Sequence, residues 1–221
     1  MSLRKTNSVD WDAERERMVD GQLRARGIQD PRVLEAMARI PREEFLPERF
    51  RGASYADEPV SIGWNQTISQ PYIVALMAAC LELKGEETVL EVGCGSGYHA
   101  AVLGALALRV VAVEILPELA ALAQANLERT GRAANVHVVV ADGSLGYEAL
   151  APYDAISVAA AAPSTPQPLL DQLKDTGRLV IPVGDMTDQD LLIIRKSGLR
   201  THSRVVTGVR FVPLRGGHGW R

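Results

Sequence analysis

The chain has 221 residues, of which 47% are hydrophobic and 23% are charged, and its formal net charge is −3 at pH 7. This length suits one domain with a full core, and this composition excludes a disordered chain. The slightly negative charge gives no sign of a nucleic-acid or anionic-membrane partner, and no apolar run reaches the roughly 18 residues that span a bilayer. The two cysteines, Cys80 and Cys94, show no metal-ligand spacing, and the N-terminus lacks an apolar leader. We therefore expect a metal-free cytoplasmic protein.

The N-terminal part of the sequence has helical periodicity. Residues 1 to about 10 are predicted to form a loose end. From Trp11 to Ile40, apolar residues recur every three or four positions, and Asp30 before Pro31 is a typical helix start. Residues 41–59 are rich in proline and turn formers and are predicted to wrap over the surface. We expect residues 1–70 to form a helical and loop cap.

Beyond residue 70, helical and extended patterns alternate along the chain. Helices are predicted over 71–83, 98–107, 117–131 and 166–177, and strands over 87–93, 109–115, 135–143, 153–163, 178–184, 189–198 and 200–214. Near-continuous Val/Ile strands between helices indicate a parallel sheet that is covered on both faces. The last strands have no helices between them and are predicted to pair antiparallel. The predicted fold is α/β, a doubly wound, mostly parallel Rossmann-like sheet over 71–221 with an antiparallel C-terminal edge.

A glycine-rich turn follows the first strand of this sheet, in the stretch LEVGCGSGYH. Gly93, Gly95 and Gly97 allow a sharp turn and the close approach of a nucleotide cofactor. Glu91 at the strand end would repel a pyrophosphate, and Tyr98 stands where a dinucleotide-binding loop has its third glycine, so a dehydrogenase is disfavoured. The Gly-Lys-Ser/Thr of phosphate-binding loops is also absent.

Acidic residues end three successive strands of the predicted sheet. Glu91 suits the cationic end of S-adenosylmethionine, Glu114 is placed for the ribose hydroxyls, and Asp142-Gly143 is placed for the adenine edge. The alternative is that these acids only cap helices and turns. Three of them beside a glycine loop favour the cofactor, which we predict to be S-adenosylmethionine.

The stretch QTISQP precedes the glycine loop and allows two interpretations. Ser69 is either a plain cap of the helix that begins at Pro71 or part of an anion site at the helix N-terminus. The pattern alone favours capping. The uncharged stretch VAAAAPSTP, residues 158–166, is equally open between packing and peptide binding. The four histidines are read as ordinary surface or core residues: His99, His137, His202 and His218.

Several stretches resemble the protein-L-isoaspartate O-methyltransferase family: GQLRARGIQDPRVLEAMARIPREEF, QTISQPYIVALM, VLEVGCGSGYHAAVLG, ADG, AAAAPSTPQPLLDQLKDTGRLVIPVG and VRFVPLRGG. These stretches follow one another from about Met18 to Gly217. The resemblance implies methylation of the α-carboxylate of L-isoaspartyl residues in damaged proteins and peptides, which initiates their repair. It also implies a monomer.

The resemblance assigns roles to matching positions. Ser69 falls on the serine associated with the active site, and with it we expect a substrate site that contains Thr67, Ile68, Ser69, Gln70, Ala160 and Ala161. The expected cofactor site consists of Thr67, Ile68, Glu91, Gly93, Cys94, Gly95, Ser96, Gly97, Glu114, Asp142 and Gly143. The terminal VRFVPLRGG is expected to close over the peptide.

The sequence departs from the family pattern at two places, of which Cys94 is tolerable and only Trp64 gives a reason to consider a protein without turnover. Trp64 and Asn65 stand where smaller sequence is usual, which could alter the rim of the substrate pocket, and Cys94 replaces a threonine or alanine. One alternative function is methylation of a small molecule or RNA. Another is a relative that binds cofactor or damaged peptide without turnover.

Overall fold

The computed structural model of the chain describes residues 9–220. The predicted loose end over residues 1 to about 10 therefore lies almost entirely outside the described residues. Within residues 9–220, no helix is both long enough and apolar enough to cross a membrane.

The first helical region is divided into short pieces. It consists of α1 (Trp11–Met18), a π-helical turn (Val19–Leu23), a 3₁₀ turn (Arg24–Arg26) and α2 (Pro31–Arg39). Gly27 interrupts it with a left-handed φ of 90°. The predicted start of α2 is confirmed, because the Asp30 carboxylate accepts hydrogen bonds from the backbone N–H groups of Arg32 at 2.9 Å and Val33 at 3.4 Å.

A hairpin that the sequence patterns did not predict precedes α3 (Pro71–Cys80). Its strands β1 (Val60–Gly63) and β2 (Gln66–Ile68) pair antiparallel. The two-residue loop between them has Trp64 at φ 50° and Asn65 at φ 57°. Both residues are left-handed, as in the type I′ turn that matches the twist of a hairpin. The Thr-Ile-Ser stretch is thus held by strand pairing and is only partly a loop.

The described residues contain one seven-stranded sheet with the order β5-β4-β3-β6-β7-β8-β9. Its strands are β3 (Thr88–Val92), β4 (Arg109–Glu114), β5 (Val136–Val140), β6 (Tyr153–Val158), β7 (Leu173–Gly184), β8 (Gln189–Ser197) and β9 (Arg200–Val209). Neighbours from β5 to β7 run parallel, and β8 and β9 run antiparallel to their neighbours. The predicted fold class, with its antiparallel edge, is confirmed.

The other helices are α4 (Tyr98–Leu106), α5 (Pro117–Arg129) and α6 (Gln167–Asp171). The predicted helix over 166–177 is wrong in its second half, because α6 ends at Asp171 and β7 begins at Leu173. Strand pairing outweighs the helical pattern here: Leu173 is in register with Tyr153, and the Lys174 ammonium lies 2.7 Å from the Asp154 carboxylate. Propensity commonly yields to such tertiary pairing.

The sheet has an apolar core on each face. On one face Val89, Ala112 and Ala155 pack with the N-terminal helices, and on the other Leu90 and Ile156 belong to a separate core cluster. Parallel strands place their carboxyl ends at one edge of the sheet, which is the usual ligand edge of such folds. The ends of β3, β4 and β6 therefore lie side by side.

Candidate active site

The turn after β3 has the backbone conformation that its glycines permit. Gly93, Gly95 and Gly97 have φ values of 82°, 55° and 88°. A Cβ on Gly97 would lie 3.2 Å from backbone atoms of Ala123, so α5 packs directly against the turn. The predicted tight turn is therefore present, and it presents its backbone to the end of the sheet.

The Glu114 carboxylate, at the end of β4, is fixed by backbone hydrogen bonds. It accepts N–H donors from Gly95 at 3.0 Å, Ile115 at 2.9 Å and Leu116 at 3.1 Å. An ionised carboxylate offers about four acceptor positions. Glu114 therefore joins the glycine turn to β4 and keeps capacity for a further donor such as a ribose hydroxyl.

The Glu91 carboxylate, at the end of β3, is completely buried, and neither of its oxygens has a hydrogen-bond partner among residues 9–220. Burial, and then the nearby Glu114 charge, raise the pKa of Glu91 from its ordinary value of 4.5 to about 8. The Nδ1 atom of His99, on α4, lies 3.4 Å from Oε1 of Glu91. A buried carboxylate without hydrogen-bond donors is suited to a cationic ligand group, because a nearby cation offsets the cost of its charge.

The Asp142 carboxylate is occupied by contacts within the chain. It accepts from the Ser144 N–H at 2.9 Å, the Ser144 hydroxyl at 2.7 Å and the Gly217 N–H at 2.8 Å. Burial opposes ionisation of Asp142, but these hydrogen bonds outweigh it and lower its pKa. The structure thus gives Asp142 the role of an anchor for the C-terminal segment, residues 210–220. Contact between Asp142 and an adenine edge stays a prediction.

Three cavities meet beside the glycine turn. The outer cleft, of about 680 Å³, lies between the Ser69 segment and the ends of β7 to β9. The side chamber, of about 60 Å³, lies between Glu114 and the C-terminal segment. The inner chamber, of about 40 Å³, lies between Ser69 and the Glu91–His99 pair. Thr67 and Ala159 line all three cavities, so the cavities converge at these two residues.

Ser69 lines both the outer cleft and the inner chamber. Helix α3 has Gln70 at its N-cap position, and no side chain in the described part of the chain caps it. The capping interpretation of Ser69, which the sequence pattern alone favoured, is therefore wrong. The hydroxyl stands at the boundary between the cleft and the chamber, beside the N-terminus of α3.

The remaining predicted residues are distributed among the cavities. The inner chamber is lined by Ile68, Glu91, Gly93, Cys94, Gly95 and Ser96, and the side chamber by Gly93, Gly95, Glu114, Gly143 and Ala160. Gln70 lines the outer cleft. Ala161 is instead buried beneath the C-terminal segment, where its N–H donates to the Val212 carbonyl at 2.8 Å and its carbonyl accepts from Trp220 Nε1 at 3.1 Å.

Sequence reasoning missed part of the outer cleft and one residue at its centre. Residues 184 and 187–190, at the β7–β8 connection, and 207–212, at the end of β9, line the cleft. Antiparallel pairing of the last strands brings them there, and no local motif marks residues 184, 187–190, 207 and 208. Residues 209–212 instead belong to the stretch VRFVPLRGG, whose closure over the peptide stays a prediction. Ala159 belongs to the small-residue stretch 158–166, but the predicted substrate site contains its neighbours Ala160 and Ala161 instead. Trp64 lines a separate cavity of about 480 Å³ with Leu122 and Arg129, so it does not rim the outer cleft.

The residues of the two chambers fit S-adenosylmethionine. Its ammonium and sulfonium need an acidic environment, which the unpartnered Glu91 carboxylate provides. Its ribose diol needs an acceptor, for which Glu114 has spare capacity. The adenine needs apolar contacts, which Val113 and Leu119 supply in the side chamber. The two chambers share Gly93 and Gly95, so one extended ligand would lie along the glycine turn.

Comparison with known proteins gives one consistent family. The family model for protein-L-isoaspartate(D-aspartate) O-methyltransferase matches residues 13–219. The protein-L-isoaspartate O-methyltransferase of Methanoregula boonei is 54% identical over 94% of this chain and 95% of its own length. Protein-L-isoaspartate O-methyltransferase 2 of Marinobacter nauticus is 56% identical over 93% of this chain and 94% of its own.

Solved structures agree with the sequence relatives. One protein-L-isoaspartate O-methyltransferase superimposes with a TM-score of 0.82 at 30% identity, over 93% of this chain and 67% of its own. A second, from Plasmodium falciparum in complex with S-adenosyl-L-homocysteine, has a TM-score of 0.76 at 26% identity, over 91% of this chain and 98% of its own.

Proposed function

Because the chain belongs to the protein-L-isoaspartate(D-aspartate) O-methyltransferase family, we propose that it methylates L-isoaspartyl residues in damaged proteins and peptides. The methyl group passes from S-adenosylmethionine to the α-carboxylate of the isoaspartyl residue, which initiates repair. The observation that carries the proposal is the convergence of the outer cleft, the side chamber and the inner chamber at Thr67 and Ala159. A peptide in the cleft and a cofactor in the chambers would meet there.

Residues of the two chambers hold the cofactor, which when bound supplies an electrophilic methyl group on a sulfonium. Glu114 accepts hydrogen bonds from the ribose hydroxyls, and its own hydrogen bonds to backbone N–H groups fix its position. Glu91 faces the cationic end. Gly93 and Gly95 let the backbone approach the ligand, because glycine has no side chain. Their left-handed φ values would strain any other residue.

The acceptor needs orientation but no general base. An α-carboxyl group has a reference pKa of about 3.3–3.7 and is an anion at pH 7. The Ser69 hydroxyl donates a hydrogen bond to this carboxylate, and the dipole at the N-terminus of α3 stabilises its negative charge. Thr67 is exposed and Ala159 is half-buried. A peptide and a cofactor that meet there would displace the water, which favours a reaction in which opposite charges cancel. Catalysis then comes mainly from holding the acceptor oxygen in line with the methyl group.

The outer cleft is large enough to take an extended peptide around the isoaspartyl residue. Gln70 forms part of its wall, and its Nε2 donates a hydrogen bond to the Asp57 carboxylate at 3.2 Å. Arg26 stacks over the ring of Tyr72 with its Cζ 3.5 Å from the ring centroid, and it pairs with Asp57 at 2.6 Å. This wall is therefore preorganised, which reduces the entropy lost when a peptide binds.

The proposal includes a cellular context and a division of the chain. The protein acts as a cytoplasmic monomer without nucleic-acid or membrane partners, which its net charge of −3 and its family resemblance support. Residues 1–70 act as the cap that carries the Thr67–Ser69 segment, and residues 71–221 act as the cofactor-binding unit. The hairpin β1–β2 supports this division, because it holds Thr67 and Ile68 opposite the glycine turn.

Transfer of labelled methyl to paired peptides tests the function. The two peptides differ only in an isoaspartyl or an aspartyl linkage, and wild type is compared with Ser69→Ala and with the exposed control Glu118→Gln. We expect transfer to the isoaspartyl peptide alone. Loss of one hydrogen bond to an anion should lower kcat/KM of Ser69→Ala by about 10- to 100-fold. S-adenosylhomocysteine binding without transfer to either peptide would refute the function.

A further inference from the structure

Four buried polar atoms that have no hydrogen-bond partner within the described residues lie on one side of β3. They are both carboxylate oxygens of Glu91, the hydroxyl of Ser157 and Nε2 of His99. Glu91 and Ser157 are register partners on the parallel strands β3 and β6, so their side chains share a face of the sheet. His99, in the first turn of α4, is 8% exposed. Because buried polar groups in folded proteins are nearly always paired, this cluster indicates a place for a polar ligand group.

His99 is neutral in this environment, because burial lowers its pKa to about 4. A neutral imidazole carries a proton on one ring nitrogen and a lone pair on the other. Nδ1 faces Glu91 Oε1 at 3.4 Å, so the tautomer that suits this contact when Glu91 is ionised, as beside a cationic ligand, carries the proton on Nδ1. The contact is longer than a hydrogen bond, and such contacts commonly tighten when a ligand binds.

We propose that His99 is a positioning residue, which donates its Nδ1–H to Glu91 and orients that carboxylate toward the ammonium of the bound cofactor. The Ser157 hydroxyl is a second neutral donor to the same carboxylate. This inference rests on the proposed function, since it assumes S-adenosylmethionine as the cofactor.

A neutral donor suits this position better than a charged one. Hydrogen bonds to a carboxylate favour its ionised form. Lysine or arginine at position 99 would also favour ionisation, but its charge would neutralise Glu91 and repel the ligand's ammonium. Neutral His99 and Ser157 stabilise the charge of Glu91 and leave it available to the cofactor. A purely structural role would give no reason for a buried Nε2 without a partner, because an apolar side chain would avoid that cost.

The test compares two ligands that differ in the amino-acid portion, which carries the ammonium and the α-carboxylate. S-adenosylhomocysteine carries the amino-acid portion and 5′-methylthioadenosine lacks it, and the affinity of each is measured by titration calorimetry. His99→Phe keeps a ring but removes the donor, His99→Asn keeps an N–H donor near the position of Nδ1, and His137→Phe on exposed β5 is the matched control.

We expect His99→Phe to lower the affinity for S-adenosylhomocysteine about 10- to 100-fold. Its affinity for 5′-methylthioadenosine should stay within about twofold of wild type. His99→Asn should recover most of the affinity, and His137→Phe should change neither ligand. Equal weakening of both ligands, unchanged binding of S-adenosylhomocysteine, or failure of His99→Asn to restore it would overturn the proposal. If His99→Phe does not fold, the same two affinities are measured for Ser157→Ala. This variant should bind S-adenosylhomocysteine about tenfold more weakly and 5′-methylthioadenosine as wild type does. Failure of wild type to bind S-adenosylhomocysteine would instead refute the proposed function.

Discussion

Replacement of Glu91 by glutamine should stabilise the ligand-free protein, although it removes a residue that binds the cofactor. Burial raises the pKa of Glu91 to about 8 from an ordinary value of 4.5. The native state therefore holds this proton more tightly than the unfolded state does. Its stability must fall as pH rises from 4.5 to about 8, because the unfolded chain ionises first.

The size of this effect follows from the two pKa values. Each pH unit between them is worth about 1.4 kcal/mol, so the buried carboxylate costs the native state about 3 kcal/mol at pH 7 and about 5 kcal/mol above pH 8. Glutamine has the same shape and no charge, and it removes this cost. Below about pH 4 the wild-type side chain is neutral in both the native and the unfolded state, and the two proteins should have nearly equal free energies of unfolding; at pH 5 the difference should be about 1 kcal/mol.

Urea denaturation of the two ligand-free proteins at pH 5, 7 and 8.5 measures this difference directly. Other titrating groups contribute equally to wild type and Glu91→Gln, so they cancel. The exposed variant Glu118→Gln serves as control and should show no such pH dependence. A Glu91→Gln advantage that is the same at all three pH values, or absent at pH 8.5, would refute the reasoning.

Three further changes have defined outcomes. Gly97→Ala should lower the free energy of unfolding by at least about 1–2 kcal/mol in urea titrations, because its φ is 88° and the added Cβ meets Ala123 at 3.2 Å; an unchanged midpoint would contradict this. Asp142→Asn should speed hydrogen exchange of the Gly217 amide, because it weakens the hydrogen bond that this amide donates. In wild type the same amide should lose protection as pH falls below about 4, since Asp142, whose pKa is lowered, holds the segment only while it is ionised. Persistent protection of this amide in the variant would count against the anchor. Trp64→Gly should raise stability by at most about 1 kcal/mol, because relief of the left-handed strain is partly offset by glycine entropy, and it should leave kcat/KM unchanged; a loss of activity would place Trp64 at the substrate after all.

Local signals in the sequence predicted the elements that depend on local chemistry. Asp30 before Pro31 starts α2, as the capping preference predicts. The glycines at 93, 95 and 97 form the turn after β3 because only glycine adopts such φ values without strain. The acids at the ends of β3 and β4 reach the chambers because parallel strands end at a common edge of the sheet.

Features that depend on distant contacts could not be predicted in the same way. The β1–β2 turn places Trp64 in a left-handed conformation, which no propensity favours for a bulky residue. Leu173 joins β7 because it pairs with Tyr153, although its own segment has a helical pattern. Asp142 accepts a hydrogen bond from the N–H of Gly217, which lies 75 residues further along the chain. His99 looked ordinary because only the fold reveals that it stands beside Glu91.

The most direct test of the account is the single-turnover rate of methyl transfer in Ala159→Val. Ala159 lines all three cavities, and its N–H donates to the Val92 carbonyl at 2.8 Å, so the added methyl groups would stand at the point of convergence. We predict a rate about 100-fold below wild type with both ligands saturating, because a misplacement of about 1 Å is enough for such a loss. Ala125→Val, on an exposed position of α5, should keep the wild-type rate. A wild-type rate in Ala159→Val would show that the methyl group is transferred elsewhere.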